Sequence, residues 1–211
     1  MERRPEPLPD PIPWVRPVTL TGRIVRLEPL ERGHLEGLVA AAADPATWTW
    51  LFAPLTEPAA VEGWLEAALR ARQAGTELPF ATLDAATGRL IGSTRYLAIA
   101  PEHRRLEIGW TWLHPSAWRT GANVEAKLLL LQEAFDSLGA MRVEWKTDAR
   151  NERSRAALEG IGARFEGVFR RHMRMADGRV RDSAWYAVTD EEWPAVRDAL
   201  RARLASHEGP R

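Results

Sequence analysis

The clearest period-two pattern in the chain runs from Arg105 to Leu113, where Leu106, Ile108, Trp110 and Trp112 alternate with Glu107, Gly109, Thr111 and Leu113. Such alternation predicts a strand with one face against a core. Shorter runs of the same kind predict strands at 23–28, 79–84, 90–98, 141–147, 164–175 and 180–188. Thr87-Gly88 ties the second and third of these into a hairpin, and Asp177-Gly178 ties the last two. Elsewhere the period lengthens to that of a helix. Residues 31–43 and 58–73 read as helices, the second with Val61, Trp64, Leu65 and Ala68 on one face. Val124, Leu128, Leu131, Phe135 and Leu138 make an apolar stripe that Gly139 ends. A short helix at 152–161 stops at Gly162, and one at 191–205 carries Trp193, Val196, Leu200 and Leu204. The order β-α-α-β-β-β-α-β-α-β-β-α predicts a mixed α/β fold: about seven strands in one mostly antiparallel sheet, flanked by helices.

Composition narrows the class. The 211 residues suffice for one core, and 45% apolar with 27% charged is ordinary for a globular protein. Twenty-nine basic residues balance 29 acidic ones, which argues against nucleic acid or an anionic membrane as the main partner. Only Lys127 and Lys146 among the 29 are lysines, so an isolated arginine carries little weight. The absence of cysteine rules out disulfides, cysteine metal sites and a cysteine acyl-enzyme. No apolar run approaches the roughly 20 residues of a membrane span. The first residues lack the apolar core of a signal peptide, so a cytoplasmic protein is expected. Pro5, Pro7, Pro9, Pro11, Pro13 and Pro17 predict an extended arm over residues 1–18, with Trp14 as its anchor. The domain then spans 19–205, with a tail at 206–211.

Two segments can carry chemistry. Trp118-Arg119-Thr120-Gly121-Ala122-Asn123-Val124-Glu125-Ala126 passes from the long alternating strand into a helix. Helix N-termini expose unpaired N–H groups, so the turn reads either as a phosphate cradle or as a plain strand–helix connection. It has neither the lysine of a nucleotide-hydrolase loop nor the three glycines of a dinucleotide fingerprint. Asn151-Glu152-Arg153-Ser154, after the next strand, reads locally as a helix cap.

Taken together, these motifs resemble the GNAT superfamily of acyl-CoA-dependent N-acetyltransferases, in particular its RimJ/RimL-like branch. That branch has W-G-x-G-x-A-x-E-A at 118–126, then N-x-x-S-x-x-x-L-x-x-x-G, matched by Asn151, Ser154, Leu158 and Gly162. The likeness runs from Arg23 to Val188. The chain departs from the pattern at Arg119, where glycine is usual, and at Asn123, where alanine or glycine is usual. The resemblance implies a single GNAT-like domain whose sheet splays in the middle.

It also implies acetyl-CoA as co-substrate, with no metal. Trp112 and Leu113 would offer backbone groups to the pantetheine arm. Arg119, Thr120, Gly121, Ala122, Asn123 and Val124 would hold the pyrophosphate, with Asn151 and Ser154 also at the cofactor. Ser154 is the expected partner of the departing thiolate. Glu107 is the leading candidate for the base that accepts the amine proton, against the alternative of a structural ion pair; Asp148, His172, Asp182 or a water relay stand behind it. The arginines of the closing hairpin either meet an acidic ligand or form a solvated face. Trp48 and Trp50 fall where the family builds its acceptor pocket. The expected reaction is direct acetyl transfer to a primary amine, on a protein N-terminus or a small molecule. The alternative is an acyl-CoA-binding sensor without catalysis. Related proteins are often homodimers.

Overall fold

The structure, a computed structural model, describes residues 13–51 and 54–206. Most of the Pro-rich arm and nearly all of the tail lie outside the described residues. In chain order the strands are β1 (Leu20–Thr21), β2 (Val25–Pro29), β3 (Leu78–Asp84), β4 (Leu90–Ala100), β5 (Arg105–Leu113), β6 (Arg142–Asp148), β7 (Arg164–Arg174) and β8 (Val180–Thr189). The helices are α1 (Leu35–Ala42), α2 (Pro58–Gln73), α3 (Ala122–Gln132), α4 (Glu152–Gly160) and α5 (Trp193–Ser206). The eight strands form one sheet in the order β1-β2-β3-β4-β5-β6-β8-β7. Every pairing is antiparallel except β5 with β6. The eighth strand, beyond the seven expected, is β1, whose two residues are too few to show a period.

Each face of the sheet has its own core. Leu30, Leu38, Trp48, Val61, Leu65 and Trp112 close the face under α1 and α2. Leu106, Ile108, Leu130, Leu131, Tyr186 and Leu200 belong to the opposite core, around α3 and α5. Helix α3 is buried nearly all round, because α5 and the β1–β2 turn cover the side turned away from the sheet. Two charged side chains are buried with it. Glu125 accepts the N–H groups of Arg23, Ile24 and Val25 at 3.0, 2.6 and 2.7 Å, and so anchors that turn. The stripe beyond α3 continues through a π-helical turn at Glu133–Ser137, in which Phe135 stacks on Trp193 and Asp136 accepts its indole N–H at 2.7 Å. Trp14, in the described end of the arm, donates to the Leu138 carbonyl at 2.9 Å.

The uniform alternation expected along 105–113 is broken. Ser93 pairs with Trp112 but Arg95 pairs with Gly109, so three steps on β5 oppose two on β4. This is a β-bulge, with Trp110 in the left-handed region at φ 49. The extra residue inverts the side chains that follow it. Leu106, Ile108 and Leu113 face α3, whereas Trp112 joins the core under α1 and α2.

Candidate active site

The site lies where the sheet opens. β5 and β6 share only the pairs Arg105–Arg142, Leu106–Val143 and Glu107–Glu144. Beyond Glu107 the edge of β5 facing β6 has no strand partner among the described residues. The two strands are parallel, so α3 and α4, which follow them, begin at the same end of this gap. A crevice at the carboxyl ends of parallel strands, flanked by helix N-termini, suits an anionic ligand.

On the α3 side the turn is tightly bent. Arg119 and Gly121 have φ of 63 and 89. A Cβ on Gly121 would lie 2.9 Å from Ile24 Cδ1, so both conformation and space favour glycine. Thr120 Oγ1 donates to the Ala117 carbonyl at 2.8 Å and lies 3.4 Å from the Ala122 N–H. The first bond inside α3 is Glu125 N–H to Gly121 C=O at 2.9 Å. The N–H groups of Asn123 and Val124 thus have no partner among the described residues. These are the donors a phosphate cradle needs.

On the α4 side Asn151 is buried, and its Oδ1 accepts the Ser154 N–H at 3.0 Å. The cap is therefore real, and it leaves the Asn151 amide NH2 uncommitted among the described residues. The Ser154 hydroxyl is half-buried and likewise makes no hydrogen bond among them. Arg153 spans the gap, its guanidinium 4.2 Å from the Trp118 ring centroid. The Trp118 indole donates to the Leu113 carbonyl at 2.9 Å, which ties that carbonyl to the turn.

At the floor of the gap stands Glu107, 2% exposed and paired with Lys146 of β6. Burial pushes its carboxyl above the usual range; Lys146 opposes that rise, and Glu144 adds to it. Lys146 also lies 5.4 Å over the Trp185 ring. Arg181, buried on β8, donates to Ser183 Oγ at 3.0 Å, and burial lowers its pKa. His172 Nδ1 meets the same hydroxyl at 3.0 Å, and burial, then Lys146 and Arg181, push its pKa down.

The other candidates are engaged differently. Burial pushes Asp148 up, but hydrogen bonds from Arg150 more than offset it, so the carboxyl stays below its usual range. Asp182 is exposed and accepts the Arg171 N–H at 2.6 Å. Trp48 is a core residue: it is 5% exposed, donates to the Ala42 carbonyl at 2.8 Å and packs 5.1 Å from Trp112. Glu107 and Ser154 share no hydrogen bond. Glu107 reaches its partners through the β5–β6 pairing, and Ser154 sits in the first turn of α4, past the connection that follows β6. Sequence reasoning misses Lys146 and Ser183, and it reads Arg181 only as one of the closing-hairpin arginines that either meet an acidic ligand or form a solvated face. Among the described residues no group of three or more His, Cys, Asp or Glu side chains is placed to hold a metal, and no helix is long and apolar enough to cross a membrane.

Residues 25–164 match the family model of the acetyltransferase (GNAT) domain. A crystal structure of a GCN5-related N-acetyltransferase from Brucella melitensis superposes with a TM-score of 0.84 at 39% identity, covering 90% of this chain and 86% of that one. RimJ of Mycobacterium smegmatis, in complex with CoA-disulfide, superposes at 0.77 with 23% identity, covering 89% and 95%, a likeness of fold. An N-acetyltransferase of Bacillus subtilis strain 168, YoaA, is 36% identical over 87 residues, 41% of this chain. The chain spans about half the length of that relative, 49%. The match over 25–164, on a sheet that opens between β5 and β6, shows that this chain belongs to the GNAT acetyltransferase family.

Proposed function

We propose that the protein transfers the acetyl group of acetyl-CoA directly to a primary amine, on a protein N-terminus or a small molecule. The observation that carries this is the open edge of β5 running into a helix N-terminus with free N–H groups. An amide-bearing pantetheine arm pairs with such an edge as a peptide would, and the diphosphate meets the turn at 119–124. Asn151, with its uncommitted amide, lies on the opposite wall. A mycobacterial neighbour of the same fold was solved in complex with CoA-disulfide, which supports a CoA ligand.

In the transfer the amine nitrogen bonds to the acetyl carbon, the carbon–sulfur bond breaks, and the nitrogen gives up a proton. Glu107 takes that proton, directly or through a water. Its raised pKa makes it a better base than an ordinary carboxylate, while Lys146 favours its ionised form. Ser154 donates a hydrogen bond to the departing sulfur. Thiol release from acetyl-CoA against a panel of amines tests the reading. Glu107→Gln should lower kcat by about 10²–10⁴-fold with CoA affinity unchanged. A protein that binds CoA but releases no thiol with any amine would instead be a sensor.

A further inference from the structure

The bulge in β5 is gripped from both faces by a buried cation. On the α2 side, Arg95 of β4 lies with its Cζ 5.1 Å from the Trp64 centroid and 5.1 Å from that of Trp110. Its Nη1 reaches Glu77 Oε2 at 2.5 Å. On the α3 side, Lys127 Nζ donates to Thr111 Oγ1 at 2.7 Å and lies 3.4 Å from Thr94 Oγ1. The two threonine hydroxyls are 2.8 Å apart. Trp110 and Thr111 are the bulged residues, and Thr94 opposes them between the register pairs of Ser93 and Arg95.

Stability does not account for Lys127, and Arg95 leaves two donors unmet despite its ion pair with Glu77 and its two indole faces. Arg95 is 5% exposed, and its Nε and Nη2 are buried without a hydrogen-bond partner. Lys127 is 4% exposed and has no carboxylate partner among the described residues. A buried cation with unmet donors costs free energy that an apolar side chain of similar size would not. Costly groups around a strained residue are expected where local geometry is used. The alternative geometry is specific: a one-residue slip of β5 on β4 would remove the bulge and turn every later side chain and backbone group over.

We propose that Arg95 and Lys127 are positioning residues that fix the β4–β5 register, and with it the strand edge that receives the acyl donor. The proposal rests on the acetyl-CoA reading and extends it to two residues on opposite faces of the sheet. Three measurements on the full chain test it: CoA affinity by calorimetry, separate KM values for acetyl-CoA and amine, and amide hydrogen exchange across 105–113. Lys127→Met should unfold at the same or a higher temperature than wild type. It should still bind CoA about tenfold more weakly, raise the acetyl-CoA KM in step and leave the amine KM alone. Arg95→Met, which also leaves Glu77 without its partner, should lose stability yet weaken CoA binding and raise the acetyl-CoA KM in the same way; Arg95→Lys, which keeps the charge for Glu77 but cannot stack between indoles, should be intermediate. Should Arg95→Met not fold, Trp64→Leu removes one wall of the sandwich and should shift binding in the same direction.

Unchanged CoA affinity in the Lys127 and Arg95 (or Trp64) variants would overturn the proposal. So would an effect confined to the amine KM, which would make Arg95 an acceptor-pocket residue. If wild type binds no CoA, the acetyl-CoA reading fails separately, and hydrogen exchange decides the clamp. Faster exchange across 105–113 in the variants supports it; unchanged exchange removes it.

Discussion

Among the described residues, the Lys127 ammonium hydrogen-bonds only threonine hydroxyls, and burial lowers its pKa from 10.5 to about 7. The folded protein therefore holds this proton less tightly than the unfolded chain does. The penalty is present in full below about pH 7 and fades as pH rises toward the unfolded value, so stability from this group increases across that interval. Tyr96, buried beside α3, is pushed well above its ordinary value and does not titrate there. The urea midpoint of wild type should rise between pH 7 and 9.5, and Lys127→Met should abolish most of the rise; parallel curves for the two would refute the assignment. One clue to this residue stood in the sequence. In a chain whose cations are otherwise all arginine, lysine occurs twice, once in the core and once on Glu107. A lysine is a compact point charge whose pKa yields to burial, unlike the fixed guanidinium. Rarity marked both positions, but their partners lie on other strands: Lys146 and Glu107 are 39 residues apart.

At the scale of elements, the turn before α3 explains why a glycine is usual at position 119. Arg119 sits at φ 63, a region that costs a non-glycine residue about 1–2 kcal/mol. Arg119→Gly should therefore stabilise the protein by about 1 kcal/mol in urea unfolding, less whatever glycine adds to the entropy of the unfolded chain. If the guanidinium helps hold a phosphate, the same variant should bind CoA several-fold more weakly, so stability and affinity move in opposite directions. Equal affinity would leave the backbone as the only holder. Apart from β1, the strands and α-helices were readable because each has a strong period or a stop signal, such as Gly139, Gly162 and Gly178, all at positive φ. The bulge was not readable. Arg105–Leu113 alternates without interruption in sequence, and only the pairing with β4 and the two flanking cores show that the alternation inverts at Trp110.

For the whole molecule, the motifs at 118–126 and 151–162 pointed to a splayed sheet, but not to the reach of its pairing. β6 pairs with β8 along seven residues, whereas β5 and β6 meet over three. The middle of the sheet is thus bridged largely by side chains: Lys146 to Glu107, Arg105 to Glu144, and Arg153 over Trp118. A ligand seated in that gap adds main-chain bonds to the open edge of β5 and charge contacts at two helix N-termini at once. All of that gain belongs to the folded state, because the unfolded chain has neither the edge nor the cradle. At a hundred times its dissociation constant, CoA should stabilise the fold by about 2.7 kcal/mol. For a chain of 211 residues this is a rise in Tm of about 5–10 °C. ATP and NAD share the diphosphate but lack the amide arm, so they should give a small part of the shift at equal concentration. If ATP matched CoA, the cradle at 119–124 would be the whole site, and the open edge of β5 would have no part in binding.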